Sequence, residues 1–398
     1  MAILLNIALL NMAVALTLPL HAAEPGIEKM ELWEGGQDGY AMYRIPGIVV
    51  TGKGTVLAYS EARRSSGNDW DSIDIVMRRS TDGGKTFGPQ VVISRVAGEI
   101  RRSPVAIERK QAKPTDVTYN NPVAIADRSG VVHFLFCLEY MRVFYMRSVD
   151  DGRTFSKPVE ITGAFEGFRP EYAWRVVATG PGHGIQLSSG RLVVPIWMSL
   201  GTGGNGHHPS VAATVYSDDR GATWHRGEIA VPNTPEFPDA NETTAVQLAD
   251  GRVMLNVRTE SPRNRRTVVF SADGATHWTA PRLQEDLSDP ICFASLLRYS
   301  KWLLFSNPDN LTRVDGKDSR SKDRRNLTVH MSSDNGGSWP VKRTVESESS
   351  GYSDLASLPD GTILCLYETG AGASDFPSKR LMLARFNLAW LTEGRDRF

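Results

Sequence analysis

The residue types that could carry chemistry in this chain of 398 residues stand at the ends of apolar, strand-like runs. Three precede such a run and three follow one: Arg44, Glu242 and Tyr352, and then Arg63, Arg258 and Glu368. Arginine stays protonated and its rigid fork pairs with carboxylates. A tyrosine hydroxyl, with a pKa of about 10, needs a neighbouring base before it can act as a nucleophile. Packing alone does not place charged groups so regularly, so this set indicates a functional site.

Six repeated hairpins supply these strand ends. Each begins with a turn that leads into an alternating apolar strand, and the turns stand at Gly54, Gly130, Gly190, Gly251, Ser300 and Gly361. The spacing suits one four-stranded sheet per hairpin, and no run shows helical periodicity. The sequence therefore predicts an all-β fold, a six-bladed β-propeller of four-stranded antiparallel sheets, with a β-sandwich as the alternative. In a propeller, these strand ends converge in one funnel around the axis.

A second repeat, Ser-x-Asp-x-Gly-x-Thr-aromatic, follows five of the six hairpins. Three copies begin at Ser80, Ser148 and Ser217, a variant with serine in place of threonine begins at Ser332, and a degenerate copy begins at Ser271. The aspartate can accept backbone N–H bonds, the glycine allows a left-handed conformation and the aromatic ring packs inward. We interpret the repeat as a structural turn rather than a calcium loop or a catalytic aspartate. Because the last hairpin lacks it, the chain near residues 31–34 is expected to complete the last sheet.

These turns, together with Tyr43-Arg44-Ile45-Pro46, resemble the sialidase (neuraminidase) superfamily, in particular exo-α-sialidases of the bacterial and lysosomal Asp-box type. The resemblance runs from about Trp33 to Trp390. It implies a glycoside hydrolase that removes terminal α-linked sialic acids from glycoconjugates with retention, through a tyrosyl-sialoside intermediate. Two alternatives stay open: a trans-sialidase with the same catalytic residues, and a non-catalytic propeller that binds sialic acid.

The resemblance also implies roles for individual residues. Three arginines would hold the substrate carboxylate, three residues would be catalytic and two would support them: Arg44, Arg258 and Arg324; Asp69 as acid/base, Tyr352 as nucleophile and Glu242 as its base; and Glu368, which steadies the first arginine, with Arg63 as a further pocket arginine. The family pattern favours Arg324 over Arg325, and strand alternation allows only one of this pair to face the pocket. It likewise favours Asp69 over Asp71 and Asp74.

The composition excludes some functions and predicts a location. The chain carries 45 basic and 45 acidic side chains, so it lacks the basic excess of a nucleic-acid-binding protein. The apolar run from Ile3 to Leu20, followed by His21-Ala22-Ala23, predicts a signal peptide over residues 1–23, cleaved near Ala23. An uncleaved anchor is the alternative. Residues 24–398 would then form one secreted or periplasmic propeller domain, and no later segment has the ~20 apolar residues that span a bilayer.

Neither a disulfide nor a metal site is predicted. Cys137, Cys292 and Cys365 each lie in an apolar, strand-like run, which predicts buried free thiols. His207-His208 has no third zinc ligand at a suitable spacing, so no metal or other cofactor is expected. The glycine-rich segment that carries this pair, residues 201–209, is expected at the rim of the pocket. Trp70 either covers the acyl group of the substrate or packs within the rim.

Overall fold

A computed structural model describes residues 24–65, 67–370 and 379–395, so the predicted signal peptide lies outside the described residues. The three helices of the described part are four or five residues long: α1 (Pro104–Glu108), α2 (Gly163–Glu166) and α3 (Leu388–Thr392). Within these residues no helix is long and apolar enough to cross a membrane. Strands form most of the regular structure, as predicted.

The strands follow one another along the whole of the described chain. In the first half they are β1 (Ile27–Glu34), β2 (Met42–Val50), β3 (Val56–Arg63), β4 (Ile73–Ser80), β5 (Val91–Val92), β6 (Tyr119–Ala126), β7 (Val132–Leu138), β8 (Arg142–Ser148), β9 (Val159–Glu160), β10 (Val176–Thr179), β11 (Gly182–His183) and β12 (Ile185–Gln186). In the second half they are β13 (Leu192–Gly203), β14 (His208–Ser217), β15 (His225–Val231), β16 (Thr243–Gln247), β17 (Val253–Val257), β18 (Arg265–Ser271), β19 (Arg282–Ser288), β20 (Ser295–Tyr299), β21 (Trp302–Pro308), β22 (Arg325–Ser332), β23 (Val341–Ser357), β24 (Ile363–Thr369) and β25 (Arg380–Phe386).

Antiparallel pairing arranges these strands in a propeller. Two four-stranded sheets are formed by β2–β5 and by β16–β19. Two five-stranded sheets are formed by β6–β9 with the short parallel strand β11, and by β10 and β13–β15 with β12. The remaining strands make one seven-stranded sheet in the order β1-β25-β24-β23-β22-β21-β20. The all-β propeller is thus confirmed as the fold class.

The predicted count of six separate four-stranded sheets is wrong: five sheets form among the described residues. The cause is β23, which continues as one strand through Val341–Ser357. It pairs with β22 as far as Ser349 and with β24 from Ser350 onward, and so joins two of the predicted units. The N-terminal chain completes this sheet as predicted, because Glu31 of β1 lies opposite Met382 of β25.

Apolar side chains fill the space between each group of strands and the next. Leu57 of β3 packs in one cluster with Phe134 of β7. Val56 of the same strand faces the other way and packs with Leu364 and Leu383 of the last strands. The beginning and the end of the described chain therefore share a core, which closes the ring. The three cysteines are buried free thiols, as predicted.

The aspartate turns are structural, as predicted. In the first copy, Ser80 Oγ accepts a bond from the Gly84 N–H at 2.9 Å, and Asp82 accepts from the Thr86 N–H at 3.0 Å. Gly84 has a φ of 76°, which a side chain would disfavour. The same bonds recur in the other two full copies and in the variant that begins at Ser332. The aromatic ring of each of the five copies packs against an apolar cluster between strands: Phe87, Phe155, Trp224, Trp278 and Trp339.

β-Bulges interrupt three strands at one end of the ring. The pairing register shifts between Arg44 and Gly47, between Asn120 and Val123, and between Ser350 and Ser353. Ile45 takes a φ of 58° in the first of them, a strained conformation for a β-branched residue. Bulges re-aim side chains and backbone strain collects at functional sites, so this end of the ring is where a site is expected.

Candidate active site

One pocket at this end of the ring receives side chains from all five sheets. Six of the eight predicted site residues line it: Arg44, Asp69, Glu242, Arg258, Arg324 and Tyr352. Glu242 directly precedes β16 and Arg258 directly follows β17, so both stand at strand ends. Arg44 lies near the beginning of β2, as its third residue. Tyr352 was expected at the beginning of a strand. It lies within β23 instead, because that strand is continuous.

Tyr352 is the centre of the pocket. Its hydroxyl donates to Glu242, with Oε1 at 2.6 Å and Oε2 at 2.7 Å, and accepts from Arg258 Nη1 at 2.9 Å. Arg258 also forms an ion pair with Glu242. The guanidinium carbons of Arg44 and Arg324 lie 5.2 and 5.3 Å from the centre of the phenol ring. Three arginines and one carboxylate thus meet at a single phenol.

The electrostatics of this group keep the phenol neutral. Burial, and then the charge of Glu242, raise the pKa of Tyr352 well above its ordinary value, although the three arginines oppose this. Burial alone would lower the pKa of Arg258, but Glu242 outweighs it and keeps the guanidinium charged. The phenol can therefore become a nucleophile only as its proton passes to Glu242, which already accepts it.

Glu368 lies behind the pocket and ties two of its residues together. Its Oε1 accepts from Arg44 Nε at 3.2 Å and from the Ile45 N–H at 3.0 Å, and its Oε2 accepts from the Tyr352 N–H at 3.1 Å. The carboxylate is 3 % exposed, so it positions Arg44 and Tyr352 without lining the pocket itself. Gly351 is required here because a side chain at that position would collide with Glu368 Oε2.

Asp69 stands on the loop between β3 and β4, with its carboxylate in the pocket. Arg63 Nη1 lies 2.9 Å from its Oδ1, and Asn205 Nδ2 donates to its Oδ2 at 3.1 Å. Burial raises the pKa of Asp69, but the charges of Arg63, His207 and Arg44 outweigh burial and lower it to about 2. Arg63 itself was expected in the pocket. It is fully buried between Glu61 and Asp69, so it reaches the pocket only through the aspartate.

The alternative residues lie elsewhere. Arg325 begins β22 and its half-exposed side chain pairs with Glu348, while its neighbour Arg324 lines the pocket and donates to the Ile291 carbonyl at 2.7 Å. Asp71 accepts from Ser65 Oγ at 2.8 Å. Asp74 is bound by Tyr40, Arg64 and Arg95, which makes it part of a structural network. Trp70 is fully buried and packs within the rim.

Four other pocket residues were not predicted from the sequence: Asn121, Tyr140, Trp197 and Asn241. A fifth, Asn205, lies in the segment 201–209 that was expected at the rim, and this segment does line the pocket. Among the described residues, the buried pocket nitrogens that lack a hydrogen-bond partner include Trp197 Nε1, His207 Nε2 and Arg258 Nε. Buried polar atoms are normally paired, so these nitrogens are available to a polar ligand. Of the four unpredicted residues, Asn121 at the bulge of β6 offered a usable signal, since asparagine tolerates the left-handed conformation that it adopts there.

His208 has carboxylate neighbours that its position in the chain did not suggest. Its Nδ1 lies 3.2 Å from Asp239 Oδ1 and its Nε2 lies 3.5 Å from Glu260 Oε1, so three residue types that can bind a metal do meet at the rim. This group contains His208 but not His207, so it differs from the histidine pair for which the sequence showed no third ligand. Each ring nitrogen faces its own carboxylate, however, and the interaction of the ring with the Asp239 carboxylate, followed by the charge of Glu260, raises the pKa of His208 against burial. This arrangement favours an imidazolium ion between two acids.

Comparisons with known proteins show the family to which this chain belongs. Residues 54–365 match the protein family described as BNR repeat-like domain. The chain is 32 % identical to a sialidase of Micromonospora viridifaciens, in an alignment that covers 92 % of this chain and 55 % of that protein. The chain thus spans about half the length of this relative.

Solved structures show the same fold. The Hadza microbial sialidase Hz136 superposes with a TM-score of 0.69 at 25 % identity, over 90 % of this chain and 68 % of that one. The intramolecular trans-sialidase from Ruminococcus gnavus superposes with a TM-score of 0.70 at 19 % identity, over 90 % of this chain and 97 % of that one. At this lower identity the similarity concerns the fold alone.

Proposed function

The chain belongs to the BNR repeat-like (Asp-box) superfamily, and on that premise we propose that it is an exo-α-sialidase. Its substrates would be glycoproteins, gangliosides and oligosaccharides that end in an α-linked sialic acid. The observation that carries this proposal is the meeting of three guanidinium groups at one phenol, beside a carboxylate that accepts the phenol proton. The proposal is also supported by the similarity of this chain to proteins that are named sialidases, and by the match between the pocket residues and the family pattern.

The arginines would select the substrate. Sialic acid carries a carboxylate on its anomeric carbon, and Arg44, Arg258 and Arg324 offer several N–H donors to one anion. A carboxylate nucleophile at this place would be repelled by the carboxylate of the substrate, whereas a neutral phenol is not. This is the physical reason for a tyrosine nucleophile, an exception among glycosidases that mostly use two carboxylates.

The first step would form a bond between the enzyme and the sugar. Asp69 gives its proton to the glycosidic oxygen, and the bond between that oxygen and the anomeric carbon breaks. Tyr352 Oη attacks the same carbon while its proton moves to Glu242, whose two oxygens already lie within 2.7 Å. The arginine clamp holds the carboxylate as the ring flattens toward an oxocarbenium-like state.

Substrate binding would prepare Asp69 for this step. A general acid must carry its proton, yet the surrounding cations lower the pKa of Asp69 to about 2, against burial that raises it. The substrate carboxylate neutralises part of the charge of Arg44 and the sugar excludes water, and both effects raise the pKa of a carboxyl group. We therefore expect substrate binding to raise the pKa of Asp69, so that its carboxylate takes up a proton from solvent before the reaction.

The second step would release the sugar. Asp69, now a base, takes a proton from water, and the hydroxide attacks the anomeric carbon from the side that the leaving group vacated. The bond to Tyr352 breaks and Glu242 returns the proton to the phenolate. Two inversions at one carbon give net retention.

Release of free sialic acid from a fluorogenic α-sialoside by the purified protein tests the proposal. Proton NMR of the first-formed product would show the α-anomer if the configuration is retained. Addition of lactose separates hydrolysis from transfer, because a trans-sialidase would make sialyl-lactose. A propeller that only binds would release nothing. Export with cleavage near Ala23 stays part of the proposal, and N-terminal sequencing of the mature protein tests it.

A further inference from the structure

We propose that His207 and Asn205, on the segment between β13 and β14, are positioning residues that fix which oxygen of Asp69 carries the proton, with His207 as the acceptor that stabilises it. This inference rests on the proposed function, because it concerns the acid step of that reaction. It assigns a role to a segment that lies more than a hundred residues from Asp69 in the sequence.

The two oxygens of Asp69 have different surroundings. Oδ1 faces guanidinium groups, with Arg63 Nη1 at 2.9 Å and Arg44 Nη1 at 4.0 Å. Oδ2 faces the segment, with Asn205 Nδ2 at 3.1 Å and His207 Nδ1 at 3.9 Å. Guanidinium groups offer only N–H donors, so a proton on Oδ1 would point at other protons. The proton of the acid form therefore belongs on Oδ2.

Of the two side chains at Oδ2, the imidazole is the acceptor. Asn205 presents its NH2 group, a donor, and so serves the ionised carboxylate. A neutral imidazole has one nitrogen with a lone pair. Burial lowers the pKa of His207 to about 4, although Asp69 opposes this, so the ring is neutral above that pH. A shift of about 1 Å brings Nδ1 within hydrogen-bond distance of a protonated Oδ2.

The segment is held firmly enough to position a carboxyl group. The imidazole ring packs among three aromatic rings, with centroids 4.9 Å from Tyr140, 5.1 Å from Trp197 and 5.7 Å from Trp70. Trp70 Nε1 also donates to the Asn205 carbonyl at 2.7 Å. Because Trp70 directly follows Asp69 in the chain, the loop of the acid and the segment that faces it are fastened together.

The other charged groups near Asp69 do not favour its acid form. Arg63 from β3 and Arg44 from β2 stabilise the anion, and Glu61 lies on the far side of Arg63. The charged form of His207 also stabilises the anion, but the ring carries that charge only below about pH 4. Tyr140 approaches from the connection between β7 and β8, and burial raises the pKa of its phenol well above the ordinary value, so it stays uncharged. In the described part of the chain, His207 is thus the acceptor that faces Oδ2.

Leaving-group dependence tests this inference, because a merely structural role would affect every substrate alike. Sialyl-lactose needs protonation of its leaving oxygen, whereas an aryl sialoside such as the 4-methylumbelliferyl glycoside leaves readily without it. In His207→Phe we expect kcat on sialyl-lactose to fall about 10–100-fold, with little change on the aryl sialoside. The alkaline limb of the kcat profile on sialyl-lactose should move to lower pH by about 0.5–1 unit.

Three further variants sharpen the result. His207→Asn places an amide oxygen near the position of Nδ1 and should restore activity on sialyl-lactose. Asn205→Asp adds a negative charge beside Asp69 and should move the alkaline limb to higher pH, opposite to His207→Phe. His225→Phe makes the same exchange at an exposed histidine at the beginning of β15 and should behave as the wild type.

An equal loss on both substrates in His207→Phe, or an unchanged alkaline limb, would overturn the inference. Thermal unfolding of each variant checks that it folds, and if His207→Phe does not, the direction of the shift in Asn205→Asp decides. Failure of the proposed function looks different, since the wild-type protein itself would then release no sialic acid from either substrate.

Discussion

Two adjacent arginines offer a matched pair of variants that tests the carboxylate clamp. Arg324 lines the pocket with its guanidinium carbon 5.3 Å from the centre of the Tyr352 ring. Arg325 is the next residue, yet its side chain is 37 % exposed and lies 3.8 Å from Glu348. Arg324→Ala and Arg325→Ala remove the same charge from neighbouring positions, so any difference between them reflects the pocket.

The expected size of the effect follows from the interaction that each variant loses. A hydrogen bond to a charged group contributes about 1.5–3 kcal/mol, and about 1.4 kcal/mol is tenfold, so Arg324→Ala should lower kcat/KM about 10–150-fold, mainly through a higher KM. The pair of Arg325 with Glu348 is an exposed ion pair worth at most about 1 kcal/mol of stability, so Arg325→Ala should keep the wild-type kcat/KM.

Steady-state kinetics on a fluorogenic α-sialoside measures both values. The assignment of Arg324 would be refuted if Arg325→Ala lost as much kcat/KM as Arg324→Ala, or if Arg324→Ala bound substrate normally. Sialic acid itself, used as a competitive inhibitor, provides a second readout, since its inhibition constant should rise in Arg324→Ala in parallel with KM.

Three other outcomes follow from the site. Glu368→Gln should lower the free energy of unfolding by about 3 kcal/mol, because it removes the nearer of two carboxylates that pair with the buried Arg44 and leaves the more distant Asp69. It should also raise KM as that arginine moves, and urea unfolding and kinetics measure the two effects. The alkaline limb of kcat should lie at higher pH than that of kcat/KM, because bound substrate raises the pKa of Asp69; coincident limbs would contradict this. Asp69 has a pKa of about 2 in the folded protein, against an ordinary value near 4, so the ionised carboxylate stabilises the fold above pH 4 and this contribution is lost toward pH 2. The wild type should therefore exceed Asp69→Asn in unfolding free energy above pH 4, and that difference should shrink by about 2 kcal/mol between pH 4 and pH 2.

Local chemistry explains why much of the fold could be predicted. Each aspartate turn needs its serine, aspartate and glycine within five residues, so the sequence alone reveals it. Ser300 shows the limit of such signals, because it takes a φ of 55° at the turn where the other five hairpins have glycine. The number of sheets could not be predicted, since nothing in the alternation of β23 reveals whether the strand breaks or continues between its two partners.

The pocket residues likewise fall into those that the sequence could predict and those that it could not. Arg44, Arg258 and Tyr352 stand near strand ends or bulges of the ring, so strand periodicity places them at one end of it. Asn205 and His207 meet Asp69 across 136 and 138 residues of chain, through two irregular segments whose conformations no periodicity encodes. Arg63 was predicted as a pocket arginine from the family pattern. Its burial beneath Asp69 could not be predicted, because it depends on the position of Glu61, with which it pairs.

The central claim is that the phenol of Tyr352, held by Glu242 and ringed by three arginines, bonds to the anomeric carbon of the sugar. Incubation with 2,3-difluorosialic acid, followed by proteolysis and peptide mass spectrometry, tests it most directly. We expect one sialyl adduct, on the peptide that contains Tyr352 and at that residue, and none in Tyr352→Phe. An adduct on Glu242 or Asp69, or turnover in Tyr352→Phe close to that of the wild type, would contradict the account.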